Sequence, residues 1–167
     1  PIVEAPGGEM TAQQLEPIRV VETFVPKSIT ERRPGIFVLD AGQNLAGWLA
    51  IRVKGLRGTR ITMRFSETLY DSGTVNQENL RTAAATDVYI LKGGNEETWE
   101  PRFTYHGFRY VQVEGWPGKP AVDDFVVKRV RSDVEPAGHF TCSNDLLNRI
   151  DQMVQHTEAS NLYSVPT

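Results

Sequence analysis

The sequence predicts a mostly β protein: an antiparallel β-sandwich of the jelly-roll type with one C-terminal α-helix. Through about residue 140, short apolar segments with the period of strands are separated by turn residues, with no helix between them. From Ser143 onward the apolar period becomes that of a helix. With 167 residues, the chain has room for one ordinary domain with a hydrophobic core.

The composition divides the chain into three predicted parts. Residues 1–17 are rich in proline, glycine and polar residues, and are expected to form a linker or an irregular lead-in. Residues 18–134 are expected to form the sandwich. Residues 135–167 are expected to form a junction and the first helix of a helical domain that continues beyond this chain.

Strand positions follow from apolar alternation and from turn residues. Leu49, Ile51 and Val53 point to one side of their segment, while Trp48 and Arg52 point to the other. One buried and one solvated face is typical of antiparallel sheets packed as a sandwich. Eight segments are predicted to be strands: 18–24, 35–41, 47–54, 59–69, 87–91, 98–105, 108–114 and 125–130. The polar residues 70–86 are predicted to form a long loop.

The helix is expected to begin after Ser143 or Asn144 as N-cap and to end near Tyr163. Its apolar side chains fall on one side and are called the helix stripe below: Leu146, Leu147, Ile150, Met153 and Val154. No second helix follows in this sequence to cover the stripe. In this chain it is therefore expected to fold back onto the sandwich, to pair with a second copy, or to remain as an exposed adhesive patch.

Composition argues against several functional classes. The formal net charge of −3 disfavours nucleic-acid binding, and the longest apolar run is too short for a membrane span. The single Cys142 excludes an internal disulfide. His106, His139 and His156 lie apart, without metal-ligand spacing, so no metal site is predicted. The absence of G-x-G-x-x-G and Gly-x-Ser-x-Gly motifs gives no support for a dinucleotide cofactor or a nucleophile elbow.

Two sets of polar and aromatic residues are candidates for contacts. Glu67 shares a face with Phe65 and Leu69, so its carboxylate is expected to form a structural ion pair with Arg81, Arg102 or Arg109. A binding role is the alternative, and a catalytic one is the least favoured. Exposed aromatic rings beside amides and arginines commonly hold sugars. The sugar-contact candidates are Trp48, Tyr70, Trp116, Asn44, Asn79 and Arg81. The alternative for Trp48 is that it covers a core edge or meets a neighbouring domain.

Three long motifs occur in order between residues 35 and 114: G-Q-N-x-x-G-W, E-N-L-R-x-A-x-x-T-D and F-T-Y-H-G-F-R-Y-V. Through these motifs the chain resembles the bacterial α-L-rhamnosidases of glycoside hydrolase family 78, over residues 18–167. The similar part of those enzymes is the concanavalin-like β-sandwich directly before their catalytic (α/α)₆ barrel. The resemblance implies an inverting glycosidase as the parent protein.

The resemblance also implies that the chemistry lies outside this chain. In the family, an acidic run containing Asp-Cys-Pro-Gln-Arg-Asp-Glu follows the S-V-P-T stretch that here ends at Thr167, so no catalytic residue can be assigned. The polar residues are expected either to stitch the long loop to the sheet or to line the approach to the sugar site of the barrel. The candidates for a structural network are Glu67, Asp87, His106 and Arg109.

Three functional hypotheses follow. In the first, the chain is an inactive scaffold whose partner is the barrel of its own parent chain. In the second, it is a carbohydrate-binding module for rhamnose or a related glycan. In the third, it is a structural interaction domain that self-associates through the helix stripe.

Overall fold

The computed structural model describes residues 3–4 and 7–166. Residues 7–17 contain no helix or strand. The α-helix of the described part is α1 (Asp145–Asn161), and two single-turn 3-10 helices lie at Glu78–Leu80 and Val122–Asp124. The strands are β1 (Ile18–Phe24), β2 (Ser28–Arg33), β3 (Ile36–Val53), β4 (Arg60–Ser66), β5 (Thr68–Leu69), β6 (Val75–Asn76), β7 (Thr86–Ile90), β8 (Glu97–Trp99), β9 (His106–Glu114), β10 (Phe125–Ser132), β11 (Leu162–Tyr163) and β12 (Val165–Pro166).

Eight strands form one antiparallel sheet in which β3 is the central member. The order across the sheet is β1–β10–β3–β9–β4–β7, and β2 and β8 also pair with β3. Residues 36–40 of β3 lie between β2 and β9, whereas residues 47–53 pair with β10 and β8. A register shift against β9 between Asp40 and Leu45 separates the two halves. The sheet therefore curls, and β3 runs through both layers of the sandwich.

One hydrophobic core fills the curled sheet. Side chains from both halves of β3, among them Leu39 and Leu49, belong to the same buried cluster as Phe65, Phe108 and Phe125. Leu49, Ile51 and Val53 are buried as the alternation predicts, and Arg52 between them is exposed. The predicted fold class, a mostly β antiparallel sandwich with one C-terminal helix, is confirmed.

Several strand boundaries differ from the prediction. The two segments predicted at 35–41 and 47–54 form the single strand β3. The segment predicted at 98–105 ends at Trp99. β2 was not predicted because Ile29 is the only apolar residue in its sequence SITERR. Its backbone pairs with residues 36–40 of β3, which alternation along β2 itself does not reveal.

α1 begins where its cap residue predicts and is fixed to the sheet at its other end. The Asn144 side chain accepts hydrogen bonds from the backbone N–H groups of Leu146 and Leu147. After the helix, the Tyr163 hydroxyl donates to the Val130 carbonyl at 2.8 Å, and its ring stacks on Tyr105. Burial raises the pKa of Tyr163, so the hydroxyl remains a donor. These contacts attach the C-terminal end of α1 to β10.

Candidate functional site

The ion pair between Asp40 and Arg109 lies where β3 passes from one layer of the sandwich to the other. Asp40 accepts two hydrogen bonds from the Arg109 guanidinium, at 2.9 and 3.0 Å, and one from the Gly42 N–H at 2.7 Å. The hydrogen bond from Arg109 is the main cause that lowers the pKa of Asp40, and partial burial opposes it. The contact fixes the irregular residues 41–44, which carry the G-Q-N motif.

Asp40 is expected to make stability depend on acid pH. Because its folded-state pKa is depressed, its stabilising contribution is present well above the ordinary value of 3.8 and is lost as the pH falls through the folded pKa. Between pH ~6 and pH ~3, the free energy of unfolding of the native chain should therefore fall more steeply than that of Asp40→Asn. Urea denaturation at each pH measures this difference. Parallel curves for the two proteins would contradict it.

Glu67 and Asn44 meet beside this crossing. The Asn44 amide donates to Glu67 Oε1 at 2.6 Å, and Glu67 is exposed. The prediction that Glu67 pairs with an arginine is therefore wrong. Arg109 pairs with Asp40 instead, and Glu67 faces solvent because β4 ends at Ser66. Asn44, Glu67 and Gly107 line one wall of an open groove of about 500 Å³, and Met153 and His156 of α1 line the other.

Asp87 and His106 form a second pair inside one end of the sandwich. His106 Nε2 lies 2.9 Å from Asp87 Oδ1, and both side chains are only 9% exposed. The imidazole stacks on Phe65 with ring centroids 4.3 Å apart. Asp87 Oδ2 is buried and has no hydrogen-bond partner in the described residues. The pair joins β7 to the start of β9.

The long loop 70–86 is held by amide side chains that sequence reasoning did not single out. Gln77 donates to the carbonyls of Phe65 and Ala85, at 2.8 and 3.0 Å, and Gln112 accepts from the Val75 N–H. Ser66 also bonds to the Asn76 carbonyl. No local pattern marks these residues, since each reaches a backbone group more than seven positions away.

The six sugar-contact candidates occupy different environments. Tyr70 donates to Glu78 in the loop, while Asn79 and Arg81 are exposed there, with Arg81 at a positive φ of 55°. Trp116 packs its ring on Phe125 at the edge of the core. Trp48 lies on the outer face of β3, half-buried, and Asn44 bonds to Glu67 as described above.

A further carboxylate lies under Trp48. Glu100 Oε2 accepts hydrogen bonds from the Trp48 indole N–H at 2.8 Å and from Lys128 Nζ at 2.6 Å. Partial burial of Glu100 favours its neutral form, but the bonds from Lys128 and Trp48 outweigh it and lower the pKa of the carboxyl group. Glu100 was not a sequence candidate. It precedes Pro101 at the end of a short strand, where no alternation marks it.

The helix stripe is exposed along its whole length. The exposed fractions of Leu146, Leu147, Ile150, Met153 and Val154 lie between 41% and 63%. The last three residues of the helix, Ala159, Ser160 and Asn161, are half-buried next to its attachment. The helix stripe is therefore not folded back onto its own sandwich, which was one of the three expected arrangements.

Within residues 3–4 and 7–166, no group of three or more His, Cys, Asp or Glu side chains is placed to hold a metal ion. The same part of the chain contains no helix long and apolar enough to cross a bilayer.

The curled antiparallel sandwich, without α1, is a concanavalin-like domain, as the match to a family model shows. The family model of the bacterial alpha-L-rhamnosidase concanavalin-like domain matches residues 30–131, and the chain belongs to this family. The recognised resemblance is therefore confirmed.

Full-length relatives show how much of a whole protein this chain represents. The chain is 42% identical over 159 residues to an alpha-L-rhamnosidase of Streptomyces avermitilis. That alignment covers 95% of this chain but 15% of that protein. The structure of an alpha-L-rhamnosidase from Dictyoglumus thermophilum superposes with a TM-score of 0.95 at 45% identity, over 99% of this chain and 19% of that one. The Streptomyces avermitilis enzyme complexed with L-rhamnose superposes with a TM-score of 0.90 over 95% of this chain. The chain thus spans less than a fifth of the length of these relatives.

Proposed function

We propose that this chain is the non-catalytic sandwich of an α-L-rhamnosidase, and that it carries and orients the catalytic barrel of its parent protein. The parent hydrolyses terminal α-L-rhamnosides with residues outside this chain. Residues 18–134 form the scaffold, residues 135–167 form the junction and the first helix of the barrel region, and residues 1–17 form the lead-in. Two observations support this proposal: the relatives are alpha-L-rhamnosidases, and they are much longer than this chain.

The observation that carries the proposal is the exposed helix stripe on a helix that is fixed at one end. Fully burying one large apolar side chain contributes about 1.5–3 kcal/mol, so five such side chains offer a substantial docking surface. Tyr163 fixes the direction of α1 relative to β10. The sandwich therefore sets the angle at which a helix of the barrel packs against α1. An apolar stripe beside a rigid attachment is suited to transmitting orientation.

Hydrogen–deuterium exchange of α1 tests the docking. The segment of the Streptomyces avermitilis enzyme that matches this chain is replaced by residues 1–167, and exchange is compared between this chimera and the free chain. We expect the amides of residues 145–154 to exchange at least tenfold more slowly in the chimera, because the stripe is covered there. The amides of β9, which lie within the sheet in both proteins, are the internal control.

Three results would count against the proposal. Equal exchange in the two proteins would mean that the barrel does not cover the stripe. A concentration-dependent dimer of the free chain with a protected helix would favour the self-association hypothesis. Turnover of an aryl α-L-rhamnoside by the free chain would show that it carries its own active site.

A further inference from the structure

An open groove on the outer face of the sandwich lies away from the helix stripe. Its volume is about 920 Å³, and it extends between the second half of β3, β8 with the segment that follows it, and β10. Its main lining residues are Trp48, Trp99, Glu100, Arg102, Phe103 and Lys128. Since Trp48 and Lys128 are paired neighbours on β3 and β10, the floor of the groove is rigid sheet.

The polar groups of the groove are oriented and partly unused. Trp48 and Lys128 both bond to Oε2 of Glu100, which fixes its carboxylate. Oε1 of Glu100 receives no hydrogen bond from the described residues. The exposed Arg102 guanidinium makes no hydrogen bond or ion pair there either, although it lies near enough for its charge to affect Glu100. An acceptor and a multiple donor are therefore available side by side.

Phe103 lies at the groove with an exposed side chain and an unfavourable backbone conformation. Its side chain is fully exposed, and its backbone has φ of 59°, in the left-handed region. A bulky residue in this region is strained, and such strain concentrates at ligand-binding and catalytic positions. Neither the exposure nor the strain stabilises the described domain, and a ligand that stacks on the ring would offset both.

The chemistry of the lining indicates the kind of ligand. Glutamate and lysine are depleted at protein–protein interfaces, whereas this groove places Glu100 and Lys128 among its aromatic rings. A sugar has an apolar face for an aromatic ring and adjacent hydroxyls for a carboxylate and a guanidinium. Ligand sites typically combine apolar and aromatic walls with a few placed polar groups.

We propose that the groove binds a neutral glycan through a sugar with adjacent hydroxyls. The sugar stacks on Phe103 and Trp48, donates a hydroxyl to Glu100 Oε1 and accepts from Arg102. At Oε1 of the ionised Glu100, a neutral sugar brings a hydroxyl donor, whereas an acidic sugar seated there would bring its own carboxylate against that of Glu100. This function goes beyond docking of the barrel and does not depend on the helix stripe.

An NMR titration of the 167-residue chain with methyl glycosides tests the proposal. The probes are methyl α-L-rhamnopyranoside and methyl α-D-galactopyranoside, with methyl α-D-galactopyranosiduronate as the acidic counterpart. We expect a saturable shift of the Trp48 indole N–H resonance with at least one neutral glycoside, on a millimolar scale. The Trp116 indole resonance is the internal control, since that ring packs on Phe125 instead.

Substitution of Phe103 separates a ligand role from a structural one. In Phe103→Gly we expect binding to weaken at least tenfold while the Tm rises by about 2–4 °C, because glycine relieves the backbone strain. Glu100→Gln should also weaken binding at least tenfold. Phe140→Gly, at an exposed phenylalanine outside the groove, should leave the affinity unchanged.

Three results would overturn the proposal. These results are no shift with either neutral glycoside at hundreds of millimolar, a response to the galactopyranosiduronate alone, or equal affinity in the native chain and Phe103→Gly. None of them affects exchange protection of α1 in the chimera, so the glycan site and the docking function fail separately.

Discussion

Replacing Gly47 by alanine is expected to destabilise the sandwich by about 4 kcal/mol or more. A Cβ at this position would lie 1.9 Å from the backbone oxygen of Lys128 and 2.9 Å from its carbonyl carbon. Gly47 pairs with Arg129 on β10 and with His106 on β9, so it lies where β3 passes between the layers. With a strand on each side, the β3 backbone cannot move away without breaking ladder hydrogen bonds.

Urea denaturation of Gly47→Ala measures the effect, with Gly138→Ala as the matched control. A Cβ at Gly138 meets no atom within 4 Å, so the control should stay within about 0.5 kcal/mol of the native chain. A loss of less than about 1 kcal/mol in Gly47→Ala would mean that β3 and β10 are not in the close contact described.

Replacing His106 by phenylalanine is expected to cost about 3 kcal/mol. The new ring keeps the stacking position on Phe65, so packing changes little. The Asp87 carboxylate, however, loses its one hydrogen-bond partner while it remains buried, and its second oxygen already has none in the described residues. The cost therefore comes from a buried polar group left without a partner.

The double variant His106→Phe/Asp87→Val identifies that cause. Asp87 faces Met63 across β4 and β7, among core residues, so valine is suited to the position. We expect the double variant to recover most of the stability lost in the single one, because the unpaired carboxylate is gone. A double variant as unstable as His106→Phe would place the cost in packing instead.

The sequence predicts those parts of the fold that depend on local periodicity. Leu49, Ile51 and Val53 alternate into the core, and Asn144 caps the helix as its residue type predicts. The continuity of β3 could not be predicted, because Gly42-Gln43-Asn44 has the composition of a turn. The strand continues there because Arg109, 69 positions away from Asp40, holds the irregular segment.

The candidate site is predicted less completely, because its contacts join distant residues. Asp87 and His106 were both candidates, but their pairing depends on the order of β7, β4 and β9. Glu100 was missed because its role comes from Trp48 and Lys128 on other strands. No sequence pattern gives a phenylalanine a positive φ, so Phe103 stood out only in the structure.

The central claim is that the helix stripe orients a catalytic barrel, and rhamnoside turnover by the chimera with the Streptomyces avermitilis enzyme tests it most directly. Ile150→Asp places a charge in the stripe, and Gln152→Asp places the same charge on an exposed position outside it. We expect Ile150→Asp to lower kcat/KM for an aryl α-L-rhamnoside at least tenfold in the chimera, and Gln152→Asp to leave it unchanged. Full activity of the Ile150→Asp chimera would contradict the proposed role of the stripe.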